Sequence, residues 1–185
     1  MKKTLLGLVL FFSVALLARA EDAVVVIDKA ASRVNVDVKA TVDSFVGQLK
    51  DYEAVIKVDP ASGAVTACLF KFRMLDVKTG KEKRDRKMNE WQETQKFPDC
   101  VFEMDHLEPG EGKLQTAKGS FTFHGVSQSL NVPVTVTREG KRYQFDGEVI
   151  IDTQAFGLPI IRMIGVLKVD PKVKVAFHLE GTVKP

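Results

Sequence analysis

The sequence predicts an all-β protein, a barrel or sandwich of roughly eight to ten strands with one short helical insertion. Three observations carry that expectation. From residue 24 onward, apolar and polar residues alternate in short runs, the two-residue period of a half-buried strand. Turn-forming clusters such as Asp59-Pro60-Ala61-Ser62-Gly63 and Glu108-Pro109-Gly110-Glu111-Gly112 separate those runs. One stretch, Arg84 to Pro98, breaks the alternation and carries the only tryptophan, Trp91. There is no internal repeat or linker, and hairpin-sized connections favour antiparallel pairing.

Taken in order, Val34, Val36 and Val38 alternate with charged or polar neighbours and form one buried face. Phe45, Gly47 and Leu49 share one parity, whereas Tyr52, Ala54, Ile56 and Val58 take the other. The flip suggests a β-bulge, a device that bends a strand around a barrel. Residues 64–77 are the most regular strand, with Cys68, Phe70, Phe72 and Met74 on one side and Lys71 and Arg73 on the other. Met88, Trp91 and Gln95 are spaced as one stripe of a short helix, and Phe97-Pro98 ends that segment because the residue before a proline avoids helical backbone. Strand signals resume with Phe102, Met104 and His106, then with Gly119, Phe121 and Phe123. Leu130, Val132, Val134 and Val136 follow, with Pro133 marking an edge, a bulge or an irregular spot. Glu139-Gly140 marks a hairpin, and Tyr143, Phe145, Gly147, Val149 and Ile151 the next strand. The segment from Thr153 to Gly165 is irregular yet apolar, with Phe156, Leu158, Ile160, Ile161, Met163 and Ile164. A strand signal at Val166–Asp170 and a final strand through Val173, Val175, Phe177 and Leu179 complete the chain.

The first 20 residues have the form of a cleavable signal peptide: basic Lys2-Lys3, an apolar run from Leu5 to Leu17, and Ala18-Arg19-Ala20 as a small-x-small site. The apolar run is short for a bilayer span, so no stable membrane anchor is expected. Residues 21–185 then form one domain. Removing Lys2, Lys3 and Arg19 from the 27 basic residues leaves 24 against 24 acidic ones. Such a chain has no global electrostatic drive toward nucleic acid. Cys68 and Cys100 are an even pair that an exported protein can join as a disulfide; two buried free thiols are the alternative. A homodimer is a candidate assembly.

Catalysis finds no specific support. His106, His124 and His178 have no metal-ligand spacing, no nucleophile elbow or phosphate loop is present, and Glu103 and Asp105 read as a solvated strand face. No metal or cofactor is expected. The inward parity is rich in aromatics, which either fill the core or line a cavity, since a barrel of about eight strands has room for side chains or one small ligand. The candidate apolar lining is Phe70, Phe72, Trp91, Phe102, Phe121, Phe123, Phe145, Phe156 and Ile160. Arg84, Asp85, Lys87 and Arg162 are candidate polar groups at its mouth, with an Arg84–Asp85 ion pair as the structural alternative.

Several of these residues form an ordered set of motifs. Arg84-Asp85, Phe97-Pro98 and Val101-Phe102 resemble the Arg-Asp-x-His-Leu and Tyr-Pro-x-x-x-Phe signature of the YceI-like proteins. Gly119 to Ser127 resembles that family's Gly-x-Leu-Thr-x-x-Gly-Val-Thr hairpin. Asp28 to Val38, with Ser32 in register, resembles its opening strand, and Phe156-Gly157-Leu158 its Asp-Phe-Gly-Ile segment. The resemblance implies an extended antiparallel, lipocalin-like β-barrel exported to the periplasm. It further implies an elongated apolar cavity for a polyisoprenoid, fatty-acyl or similar ligand, and no established enzymatic activity. The chain departs from the pattern where Ala40 and Lys87 replace family histidines, and Trp91 lies in a shortened segment.

Overall fold

The computed structural model describes residues 21–162 and 168–184. Residues 1–20, expected to be a signal peptide, and residues 163–167 of the apolar segment, with Met163 and Ile164, lie outside the described residues. The strands are β1 (Ala23–Ile27), β2 (Arg33–Val38), β3 (Phe45–Leu49), β4 (Glu53–Val58), β5 (Val65–Arg73), β6 (Val77–Lys78), β7 (Asp99–Pro109), β8 (Leu114–Phe123), β9 (Val126–Glu139), β10 (Arg142–Asp152) and β11 (Lys172–Val183). A single α-helix among the described residues, α1 (Glu82–Trp91), lies between β6 and β7.

Eight strands close an antiparallel barrel in the order β1-β4-β5-β7-β8-β9-β10-β11, with β11 returning to β1. The other three extend from β11 as β2-β3-β6. Strand β11 serves both arrangements: Lys174–His178 pairs with β2, whereas Gly181–Val183 pairs with β1. A turn at Asp28 carries the chain between these partners. Ser32 Oγ donates to the Asp28 carbonyl at 2.7 Å and accepts from Glu180 N–H at 3.0 Å, which locks the turn onto β11.

Local chemistry explains most connections. His124 and Gly125 both have positive φ, 50° and 72°, the backbone of a two-residue turn whose twist matches an antiparallel hairpin. The expected irregularity at Pro133 is present: the β9–β10 register runs from Glu139↔Arg142 to Val134↔Gly147 and lapses at the proline, which has no N–H to donate. A 3-10 turn, Thr153–Phe156, packs there, and Gln128 Nε2 donates to Ala155 O at 3.1 Å.

Three expectations are corrected. The parity flip between Leu49 and Tyr52 is a break between strands, because β3 pairs with β2 and β6 while β4 pairs with β1 and β5. A register shift between Met104 and His106 turns His106 outward, out of the alternation. The described part of Val166–Asp170 forms only single bridges, Arg162↔Lys168 and Ala40↔Val169.

The barrel is sealed at one end. Val25, Val58 and Tyr143 are at most 1% exposed there. The Asp59–Ala64 turn folds across the opening, where Tyr143 Oη donates to Gly63 O at 3.1 Å and Arg138 Nη1 to Ser62 O at 2.9 Å. Gly63 has φ 73°, left-handed backbone that favours glycine, and it lies directly under the Arg138 guanidinium.

Candidate functional site

The strand period places side chains in levels along the barrel axis. On β8, Phe123, Phe121 and Ala117 step inward from the open end; on β11, Val173, Val175 and Phe177 do the same. These levels enclose two connected chambers. The outer chamber has a volume of about 980 Å³ and opens at the end away from the Asp59–Ala64 turn. The inner one is about 170 Å³ and entirely apolar. Val36, Phe72, Phe121, Ile151 and Val175 line both and form a waist between them.

The expected apolar residues divide between these chambers. Phe70, Phe102 and Phe145 line the inner one, and Phe123, Trp91 and Ile160 the outer one. Phe156 lines neither. It is 3% exposed and sits behind the wall, its ring 5.6 Å from Phe121 and 5.5 Å from Phe123. It braces the lining where β9 and β10 part.

The rim is a ring of contacts. Trp91 Nε1 donates to Pro159 O at 3.1 Å, joining α1 to the segment after β10. Arg162 bridges to Lys168, and Thr41 Oγ1 donates to Lys168 O at 3.0 Å. From the 40–44 loop, Asp43 returns to α1 through Lys81 and Arg84, each at 3.5 Å.

Helix α1 is rich in residues that favour helices, and Glu82 and Asp85 in its first turn oppose the positive end of the helix dipole. It buries no residue fully. Its attachment comes from Thr79, whose hydroxyl donates to Asp85 Oδ1 and accepts from Arg84 Nε at 2.9 Å. Arg84 also donates to Thr79 O at 3.2 Å and lies 4.1 Å over the Phe45 ring. Asp85 is therefore a helix anchor, absent from the cavity lining, and Arg84 and Asp85 converge on Thr79 rather than on each other. Gln95 lies beyond the helix, which ends at Trp91.

Arg84, Lys87 and Arg162 border the outer chamber. Sequence reasoning missed Lys81 and Lys83, which border it too. The signal for Lys83 was present: Lys83, Lys87 and Trp91 recur every four residues and therefore share one helix face. Against these cations the rim sets Glu90 and Asp170.

Cys68 lines the inner chamber and Cys100 the outer, and both are free. Cys100 is opposite Phe72, four residues along β5 from Cys68. That separation is ~13 Å at strand rise, beyond the ~7 Å limit for a disulfide, so the bridge is ruled out and the free-thiol alternative stands. Burial pushes the thiols up to about 11 for Cys68 and about 12 for Cys100, leaving both protonated and unreactive at neutral pH. Among the described residues, no group of three or more His, Cys, Asp or Glu is arranged to hold a metal ion.

Comparison with known proteins places this geometry. No match was found among curated protein sequences. Among solved structures, BcnA of Burkholderia cenocepacia is 25% identical with a TM-score of 0.75, over 84% of this chain and 99% of that one. A polyisoprenoid binding domain from Saccharophagus degradans, implicated in plant cell wall breakdown, is 16% identical with a TM-score of 0.67, over 89% of this chain and all of that one. A Campylobacter jejuni YCEI protein is 22% identical with a TM-score of 0.61, over 75% of this chain and 85% of that one. The family model of the YceI-like domain matches residues 26–181, nearly the whole barrel, and the chain belongs to that family.

Proposed function

We propose that this chain is an exported carrier that holds a polyisoprenoid or other long-chain amphiphile. The tail occupies the two chambers and the head group rests at the rim by Arg84, Lys87 and Arg162. The observation that carries this reading is the apolar cavity of about 980 Å³ that continues through the waist into a second chamber. A barrel whose side chains only had to pack would leave no such space. Family membership supports binding rather than catalysis, and the Saccharophagus degradans neighbour is itself a polyisoprenoid binding domain. The signal-like segment 1–20 supports export.

The magnitudes suffice. Burying a tail of about a dozen carbons gains on the order of 10 kcal/mol gross, at ~0.8 kcal/mol per methylene. Association removes several kcal/mol, which still leaves net favourable binding, and each further methylene of a longer tail adds to it. The lysine and arginines at the rim complement a phosphate or carboxylate head. Native mass spectrometry of protein purified from an exporting host tests the assignment. The expected spectrum shows a chain beginning at Glu21 with a hydrophobic molecule that organic solvent extracts. A uniformly apo mass, together with no uptake of isoprenoid or acyl probes, overturns it.

A further inference from the structure

We propose that the rim of the open end docks on an anionic lipid bilayer, and that ligand passes between bilayer and cavity there. The purpose of the surface rests on the carrier reading above, but the surface itself is read from charge and exposure.

Two observations coincide at this end. The first is a local excess of exposed cations. Lys39, Lys81, Lys83, Lys87, Arg162 and Lys168 are exposed around the opening. The acids interspersed with them are exposed Asp43, Glu82 and Glu90 and half-buried Asp170, and Asp43 already contacts Lys81 and Arg84. Residues 21–185 balance 24 cations against 24 anions, so the excess belongs to the rim and not to the chain. At the sealed end, exposed Glu21, Glu111 and Glu139 intersperse with Lys113, Lys141 and Arg142. The second is the most exposed large apolar side chain among the described residues. Val42, on the loop that closes the rim between α1 and Lys168, is 69% exposed. Cations ringing an apolar opening, with an aliphatic side chain projecting beside them, complement an anionic interface with hydrocarbon beneath it.

The chemistry of the cargo gives docking its use. Each methylene that crosses water disfavours transfer about fourfold, so a mouth pressed to the bilayer avoids the barrier that free diffusion of a long tail meets. The attachment is peripheral and reversible. Among the described residues, no helix is long and apolar enough to cross a membrane.

Vesicle flotation tests the docking. Full-length mature protein is mixed with vesicles of phosphatidylcholine plus phosphatidylglycerol, or of phosphatidylcholine alone, at low and at high salt. Binding is expected only to the anionic vesicles and is lost at high salt, because exposed charges are screened. A lysine near such a surface contributes about fivefold in partitioning. Lys39→Glu/Lys168→Glu, at positions outside the head-group contacts, therefore lowers partitioning by about 25-fold or more. Val42→Asp lowers it independently. Lys113→Glu/Lys141→Glu at the sealed end changes it by less than about twofold, and thermal melts confirm that all variants fold. Equal binding to neutral and anionic vesicles, no binding to either, or equal loss with the sealed-end pair overturns the proposal. Native mass spectra of the same variants separate the two claims. Rim variants that still carry ligand but no longer float establish docking, whereas wild-type protein that floats but never carries ligand refutes the carrier reading alone.

Discussion

At the sealed end Val25, Val58 and Tyr143 are shut off from solvent beneath a turn pinned by Tyr143 and Arg138. At the open end, Phe72, Phe121 and Ile160 belong to the same kind of apolar wall, yet they are only partly buried. Strands β5, β7, β8, β10 and β11 run through both regions, so strand chemistry does not separate them. What differs is the element laid across each opening. The Asp59–Ala64 turn is short and lies flat against the barrel, whereas α1 and the segment around Pro159 stand apart and meet through the Trp91–Pro159 hydrogen bond. Packing is close beneath the turn and open beneath α1.

Truncation should expose this contrast most sharply. Tyr143→Ala removes a fully buried ring and is expected to cost about 3–5 kcal/mol, a drop of roughly 10 °C in Tm. Phe72→Ala, whose side chain already borders empty space, is expected to cost about 1–2 kcal/mol and to widen the waist. Thermal unfolding measures the first difference, and competition among isoprenoids of increasing length the second. Longer tails should gain only in the Phe72 variant, and equal destabilisation at both sites would abolish the distinction between the ends.

A smaller effect separates the rim from the wall. Lys87→Ala and Arg162→Ala are each expected to weaken an anionic amphiphile by about twofold to fivefold, at ~0.5–1 kcal/mol for an exposed charge contact. Tm should not move, and the loss should shrink at high salt. A change for a neutral alcohol of the same chain length would contradict a role in head-group recognition.

The smallest effect lies outside both regions and serves as a control. His178 Nδ1 lies 2.6 Å from Asp146 and its Nε2 3.0 Å from Glu180, and these carboxylates raise its pKa, with burial and then Arg33 opposing. A raised folded-state value means the histidinium stabilises the fold fully below the unfolded pKa of about 6.5. That stabilisation is lost as pH rises through the folded value. Below about 1 kcal/mol is expected for these partly exposed ion pairs. Thermal melts of wild type and His178→Gln across pH 5 to 8, about the window of histidine titration, should diverge at the acid end and converge at the basic end, with ligand retention unaffected.

Much of this arrangement was legible as sequence because strand parity is a local signal. The alternation in β5, β8, β10 and β11 placed Phe70, Phe72, Phe121, Phe123 and Phe145 on the inner face, and the register agrees. Closure was not legible in the same way. Val25 opposite Val183 is a pairing between chain ends, and no spacing rule encodes it. The Leu49–Tyr52 break looked like a bulge because Lys50-Asp51 has no glycine or proline to mark a turn. Asp85 was placed at the mouth with its neighbour Arg84; both side chains reach Thr79, but of the two only Arg84 also borders the chamber. Phe156 was apolar and near the site, but only the parting of β9 from β10 shows that it braces the lining from behind.

The division of β11 between two partners has a consequence for how this barrel changes over generations. The residues that hold β1 and those that hold β2 are different segments of one strand. Lengthening β3, replacing the 40–44 loop or recasting α1 therefore alters the vestibule without touching the bonds that complete the eight-strand circle. A change in the width or charge of the opening can be confined to one replaceable panel, while the frame that makes the protein foldable stays out of its reach.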